Sequence, residues 1–201
     1  MTDFDSRARD WDNDPIRGER ARAVAEAIRA RVPLSQRMTA FEYGCGTGLL
    51  SFALQPFLGP ITLADNSAGM LAVLEEKITA SGVRDMTPLK LDLIADPLPP
   101  SRFDLIYTLL TLHHMHDTNK ALQGLYTLLD RPGVLCIADL DQEDGSFHVD
   151  SEFDGHNGFD RDELTRKLLE AGFANIHFST CYETPKNARL YPLFLAVAEK
   201  R

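Results

Sequence analysis

Cysteine is scarce in this 201-residue chain: Cys45, Cys136 and Cys181 are odd in number, lie far apart and form no CxxC pair. Neither a disulfide framework nor a zinc knuckle follows from that spacing, and reduced thiols are the simplest reading. Long apolar runs are also missing. No stretch approaches the roughly 18–20 residues of a membrane span, and the opening MTDFDSRARDWDND is too acidic and polar for a secretion signal, so a cytoplasmic protein without a membrane role is expected. Positive charge is in deficit as well. Twenty-one Lys plus Arg stand against thirty Asp plus Glu, a net charge of −9, which opposes the phosphate-led association of most nucleic-acid binders. Aromatics make up only 8% of the chain, with a single tryptophan, Trp11. The length suits one domain, residues 1–201, with a sizeable core, and leaves the oligomeric state open.

What the chain does have is alternation. RGERARAVAEAIRAR, Arg17–Arg31, is rich in helix formers and places Ala23, Ala27 and Ala30 beside Val24 and Ile28 on one stripe. Strands are then predicted over Thr39–Tyr43, Ile61–Ala64, Met86–Leu91, Phe103–Thr108 and Gly133–Leu140, with helices over Leu49–Phe57, Ala68–Ala80 and Asn119–Leu129. Short, nearly continuous apolar strands in βα order imply a parallel sheet covered by helices on both faces. From Asp139 to Glu163 the pattern breaks, with ten acidic residues and one arginine in twenty-five positions, and a long surface loop is expected there. A helix over Asp160–Ala171, capped by Gly172, precedes two final strands, Asn175–Tyr182 and Tyr191–Glu199, joined by a Pro/Asn turn region.

The most specific local feature is Glu42-Tyr43-Gly44-Cys45-Gly46-Thr47-Gly48, between the first of these strands and a helix. Glycines there allow a tight turn and let backbone N–H groups approach a ligand at the helix N-terminus. Position 49 is Leu, so the spacing is GxGxG and departs from the GxGxxG of dinucleotide sites. The second strand ends on Asp65, followed by Asn66, where a carboxylate can accept two hydrogen bonds from a ribose diol or can cap the next helix. The third ends on Asp92-Leu93, an acceptor beside a backbone N–H that suits the edge of adenine. All three features fall on the carboxyl edge of one sheet, where open α/β sheets bind ligands.

Together with FDLIYTLLTLHH, these segments resemble the successive motifs of class I S-adenosylmethionine-dependent methyltransferases, over roughly Trp11 to the C-terminus. The resemblance implies a Rossmann-like α/β doubly wound sheet in the order 3-2-1-4-5-7-6, the last strand antiparallel, with LFLAVAEK as that strand. It implies S-adenosyl-L-methionine as cofactor, with Glu42, Gly44, Cys45, Gly46 and Gly48 lining the methionine part and Leu109 packing near it. Asp65, with Asn66 beside it, would hold the ribose, and Asp92 and Leu93 would read the adenine. Residues 1–37 then form an N-terminal arm and helix that can close over the site, with Trp11 as part of an aromatic lid.

Methyl transfer from a sulfonium is an in-line displacement, so holding the nucleophile and excluding water matter more than a strong acid–base apparatus. Where a base is needed, His113, His148, His156 and Asp139 are the candidates, with His114 facing substrate or lid. His113, His114 and His116 lack the i,i+4 spacing that aligns metal ligands on a helix, so no metal is expected. Absence of an NPPY-type motif argues further against a nucleic-acid base as acceptor. The expected function is methyl transfer to a small-molecule acceptor, neutral or cationic because of the acidic loop. The alternatives are a protein side-chain methyltransferase, a non-catalytic S-adenosylmethionine-binding subunit and, less favoured by the glycine spacing and the terminal hairpin, a nicotinamide oxidoreductase.

Overall fold

A computed structural model describes residues 3–148 and 153–201. Seven strands form one sheet: β1 (Ala40–Tyr43), β2 (Ile61–Asp65), β3 (Met86–Lys90), β4 (Phe103–Leu109), β5 (Leu129–Leu140), β6 (Ala174–Lys186) and β7 (Arg189–Lys200). Their order is β3-β2-β1-β4-β5-β7-β6, with β7 antiparallel to both neighbours and the other pairings parallel, as the resemblance implies. Among the described residues six α-helices accompany the sheet: α1 (Asp3–Arg7), α2 (Pro15–Arg31), α3 (Leu49–Leu54), α4 (Ala68–Ser81), α5 (Thr118–Leu128) and α6 (Arg161–Glu170).

The period-two alternation of the strands divides the core into two layers. Phe41, Leu135, Ile137, Phe194 and Ala196 face α5 and α6, while Ala40, Leu63, Leu105, Cys136 and Leu195 face α2, α3 and α4. Each fully buried Leu or Phe contributes about 1.5–3 kcal/mol by leaving water, so both faces hold the sheet in place. Among the described residues no helix is long and apolar enough to cross a membrane.

Helix α2 begins where Asp14 accepts the Ile16 N–H at 3.0 Å and Pro15 occupies the first turn. Its buried stripe is Ala21, Val24, Ala25 and Ile28. Ala30, expected on that stripe, is exposed, because the face is set by packing on α3 and on the β6–β7 hairpin. The hairpin itself runs longer than predicted. Pro185 suggested a break after Tyr182, yet β6 is an edge strand, where a proline's missing N–H costs no ladder bond. Asn187 and Ala188, at φ 51° and 58°, make a tight two-residue turn, and pairing continues from Pro185↔Leu190 to Lys186↔Arg189.

Between β5 and α6 the chain forms the expected long loop, of which residues 149–152 lie outside those described. Most of its charges are occupied within the fold. Asp141 takes Arg161 in two contacts of 2.6 Å, Asp144 pairs with Arg189 at 3.0 Å, and Asp160 accepts the Glu163 N–H to start α6.

Candidate active site

The glycine loop leaves β1 in a conformation that only small residues tolerate. Gly44 sits at φ +68°, and a Cβ there would lie 2.2 Å from the Thr111 side chain, so the turn after β4 packs directly on the loop. A Cβ on Gly46, at φ +52°, would meet Trp11 Nε1 at 3.8 Å and Met70 Sδ at 3.9 Å, ordinary van der Waals distances, so the N-terminal arm lies against the loop here. A ligand at this turn would lie between the loop backbone and the Trp11 indole.

Asp65 ties the loop to β2. Its two carboxylate oxygens accept the N–H groups of Gly46 at 2.7 Å and Ser67 at 2.8 Å. Burial nonetheless raises its pKa above the usual carboxylate value. Each oxygen keeps a second acceptor direction, which suits a ribose diol. Asn66 is exposed on the turn that follows. At β1, Glu42 is fully buried beside Ser51, which hydrogen-bonds both to its carboxylate and to Tyr107 Oη, the latter at 2.7 Å. Burial pushes Glu42 up to about 8, so its proton is retained at neutral pH. Ser51 and Tyr107 carry no motif that sequence reading could have caught.

The adenine end differs from expectation. The Leu93 N–H, assigned there to adenine, donates to Tyr43 Oη at 3.1 Å, and Asp92 Oδ1 accepts the N–H groups of Ile94 and Ala95. In this conformation both groups close a local turn. Cys45 is buried and donates weakly to Gly46 O, with its thiol pKa well above the usual value through burial, consistent with a small structural residue. Leu109 is half-buried at the end of β4, packed on the same core layer as Cys45.

The N-terminal arm lies across this edge. Asp12 holds it, receiving Thr47 Oγ1 and Lys77 Nζ at 2.5 Å each, and Asp5 accepts the Ser67 hydroxyl and the Gly69 N–H at the start of α4. Arg17 stacks on the Trp11 ring at 3.7 Å and donates to the Trp11 carbonyl. Phe4 bridges Trp11 and His114 with edge contacts at 5.8 and 5.3 Å.

Beyond Phe4 lies a cluster of imidazoles at the ends of β4 and β5. Leu110, at φ 51°, turns the chain out of β4 so that His113 points back toward Asp139. His113 Nδ1 is 2.6 Å from Asp139 Oδ1, and the same carboxylate accepts the backbone N–H groups of His113 and Leu140. Burial opposes ionisation of Asp139, but His113 and these donors outweigh it and hold its pKa below the usual value. With Asp139 accepting at Nδ1, a neutral His113 carries its lone pair at Nε2, and His148 Nε2, 3.1 Å away, is then the donor. That tautomer leaves His148 Nδ1 with its lone pair. Phe153 stacks on His148 at 3.7 Å, and burial with nearby His113 and Lys186 brings His148 down to about 4; burial with His113 and His148 brings His114 to about 3. One ring nitrogen from each of His113, His114 and His148 lies within 4.8 Å of the others, a donor set that could hold a metal ion and that the sequence hid because His148 comes from the distant loop. His156 is not in this group. Its N–H donates to the His113 carbonyl and its Nε2 sits 3.0 Å from Met115 O, so it clasps the loop to the turn after β4.

A parallel sheet with a glycine loop after β1, a carboxylate after β2 and an antiparallel final pair defines a cofactor-binding Rossmann-like fold of the methyltransferase type. Residues 41–137 match the family model described as a methyltransferase domain. Among curated proteins, the chain is 30% identical over 122 residues to the malonyl-[acyl-carrier protein] O-methyltransferase of Enterobacter lignolyticus, covering 61% of this chain and 47% of that protein. It is 30% identical over 110 residues to an uncharacterized methyltransferase of Mycobacterium bovis, covering 55% and 54%. The chain thus spans about half the length of these relatives. A chain from the complex between the Haloferax volcanii Trm112 methyltransferase activator and a methyltransferase superposes with a TM-score of 0.81 at 17% identity, covering 99% of this chain and 98% of that one. A SAM-dependent methyltransferase from Aquifex aeolicus superposes with a TM-score of 0.68 at 22% identity, covering 87% and 88%. The family-model match and these likenesses support a class I S-adenosylmethionine-dependent methyltransferase, and S-adenosyl-L-methionine is the cofactor of that class. The Asp65 carboxylate beside the Gly46 turn keeps acceptor directions of the kind a ribose diol needs.

Proposed function

We propose that the chain transfers a methyl group to a small-molecule acceptor, with Trp11 and the arm around it closing over the cofactor. The observation that carries this reading is the convergence of the glycine loop, the Trp11 arm and the Asp139–His113–His148 chain on one edge of the sheet. S-adenosylmethionine, when bound, supplies an electrophilic methyl carbon. Gly46 and Asp65 would hold it, with Glu42, Gly44, Cys45, Gly48 and Leu109 shaping the methionine end. Asp92 and Leu93 would meet the adenine once their local turn gives way. Asn66 would sit at the rim. The arm excludes water, which matters because displacement at a methyl group depends on alignment more than on acid–base strength.

His148 is the side chain placed to take a proton from an acceptor hydroxyl or amine, at Nδ1, while His113 and Asp139 fix its orientation. His114 lines the same edge through Phe4. His156 is better suited to holding the loop than to chemistry. A neutral or cationic acceptor was expected from the acidic loop, but Asp139, Asp141, Asp144 and Asp160 are all occupied within the protein. Charge around the acceptor must be set by other side chains.

The test uses the full chain and S-adenosylmethionine labelled in its methyl group, with separate pools of metabolites and of proteins. Label in the metabolite pool, lost in Asp65→Ala and reduced in His148→Gln, is the expected result. Label confined to proteins would replace this reading by side-chain methylation. Cofactor binding with no transfer to either pool, even with a Trm112-type activator added, would replace it by a binding subunit.

A further inference from the structure

A run of contacts leads from the glycine loop around to His148, and three of its members, Arg17, Arg20 and Lys186, are cations. From Gly46 the run passes to Trp11 and then to Arg17, stacked on the indole at 3.7 Å. One turn further along α2, Arg20 Nη1 donates to Thr184 Oγ1 at 3.2 Å, joining the helix to the extended end of β6. Thr184 and Lys186 share a face of that strand. Lys186 Nζ lies 4.0 Å over the Phe147 ring, which meets His148 at 5.0 Å, and the run returns through His114 and Phe4 to Trp11.

Two features of this run are not explained by the fold. Arg20 Nε is buried and has no hydrogen-bond partner, an expensive arrangement for a guanidinium. Lys186 forms no ion pair among the described residues, and neither does Arg20, while Arg7, Arg17 and Arg20 all bear on the Lys186 ammonium and lower its pKa after burial. Of the nearby carboxylates, Asp14 is paired with Arg17 at 3.5 Å and also bears on Arg20, and Asp12 is held by Thr47 and Lys77. Glu143 bears on Lys186 without an ion-pair contact, its Oε2 accepting the Phe147 N–H and its Oε1 buried without a partner. A guanidinium N–H buried without a partner, beside an ammonium in no ion-pair contact, is donor capacity that an anionic group would satisfy. His114 and His148, held neutral beside them, add no charge of their own at neutral pH.

We infer that Arg20 and Lys186, with Thr184 between them, form a subsite for an anionic group, a carboxylate or a phosphate, carried by the methyl acceptor. This rests on the methyl-transfer reading and replaces a cationic acceptor by one with a negative handle remote from its nucleophile. Arg20 offers the planar donor fork that matches either oxyanion, and Lys186 a mobile point charge at the more accessible end of β6.

The experiment is isothermal titration of the full chain, saturated with S-adenosylhomocysteine, using inorganic phosphate, succinate and choline chloride at matched ionic strength. Phosphate or succinate should bind in the millimolar range or tighter and choline should not; the anion that binds more tightly identifies the handle. Arg20→Gln and Lys186→Gln should each weaken the anion at least tenfold and leave S-adenosylhomocysteine affinity within twofold. Lys186→Gln serves as the second variant because that side chain reaches solvent and its loss should spare the fold. Anion binding that is absent, or unchanged in both variants, overturns the subsite. Failure of S-adenosylhomocysteine to bind the wild-type chain would instead overturn the methyl-transfer reading beneath it.

Discussion

Along the carboxyl edge of the sheet, the ends of β1 to β3 and the ends of β4 to β7 are built on different plans. The first region draws its groups from the strands that carry them or from the turns just beyond: Glu42, the glycine loop, Asp65, Asp92. Its polar groups are tied to neighbouring backbone, as Asp65 is to Gly46 and Ser67. The second region gathers Arg20, His113, His148 and Lys186 from four separate segments, and its contacts run through imidazoles, rings and long cationic side chains. A cofactor shared by many enzymes can be held by local turns. An acceptor particular to one enzyme is met by residues that only tertiary structure assembles.

The sharpest way to break this contrast is at the point where the two regions touch. Gly44→Ala would drive a Cβ into Thr111, and at a positive φ besides, so a loss of about 3 kcal/mol is expected, a fall in Tm of roughly 10 °C by calorimetry. Adding Thr111→Ala should recover part of it. If Gly44→Ala unfolds at the wild-type temperature, the close packing of loop and β4 turn is wrong. Asp139→Asn removes the charge that orients His113 inside the second region, at an expected cost of about 2 kcal/mol. Methyl transfer should fall tenfold or more while S-adenosylhomocysteine affinity stays within twofold. Equal losses in both would show that the regions do not act separately.

Asp12→Ala should be milder still. It releases the arm from Thr47 and Lys77, partly exposed contacts worth under about 1 kcal/mol, but it should speed S-adenosylhomocysteine release several-fold in stopped-flow displacement. An unchanged release rate would mean that the arm does not gate the site. The remaining effects are on pH. His114 and His148 have pKa values lowered in the fold to about 3 and about 4, so the unfolded chain binds their protons first. Stability should therefore fall as pH drops from 6.5 toward 4, and His148→Gln should flatten that fall. Glu42 works in the opposite sense. Raised to about 8, it contributes stability that is fully present below 4.5 and lost as pH rises toward 8, and Glu42→Gln should remove that loss.

How much of each region could be read from sequence follows the same division. The succession of strands and helices and the glycine loop were legible because βα alternation and GxGxG spacing are local patterns, while the strand order and the antiparallel final strand followed from the family resemblance. The role of Leu93 was not, since nothing in the sequence shows that Tyr43, fifty residues earlier, takes its N–H. His113, His148 and Asp139 were named singly, and their joining depends on the strained Leu110 turn and on the long loop folding back. His156 was grouped with them by residue type, and its carbonyl contact on the turn after β4 separates it. Arg20 and Lys186 went unnoticed for a plainer reason: Arg20 reads as one more solvated arginine on a helix, and Pro185 made the end of β6 read as a turn.

The central claim is that the arm bearing Trp11 covers a site for S-adenosylmethionine, and the single tryptophan makes this directly measurable. Titrating the full chain with S-adenosylhomocysteine while following tryptophan fluorescence should give a saturable change, abolished in Asp65→Ala and not produced by NADH. A saturable response to NADH with none to S-adenosylhomocysteine would contradict the account.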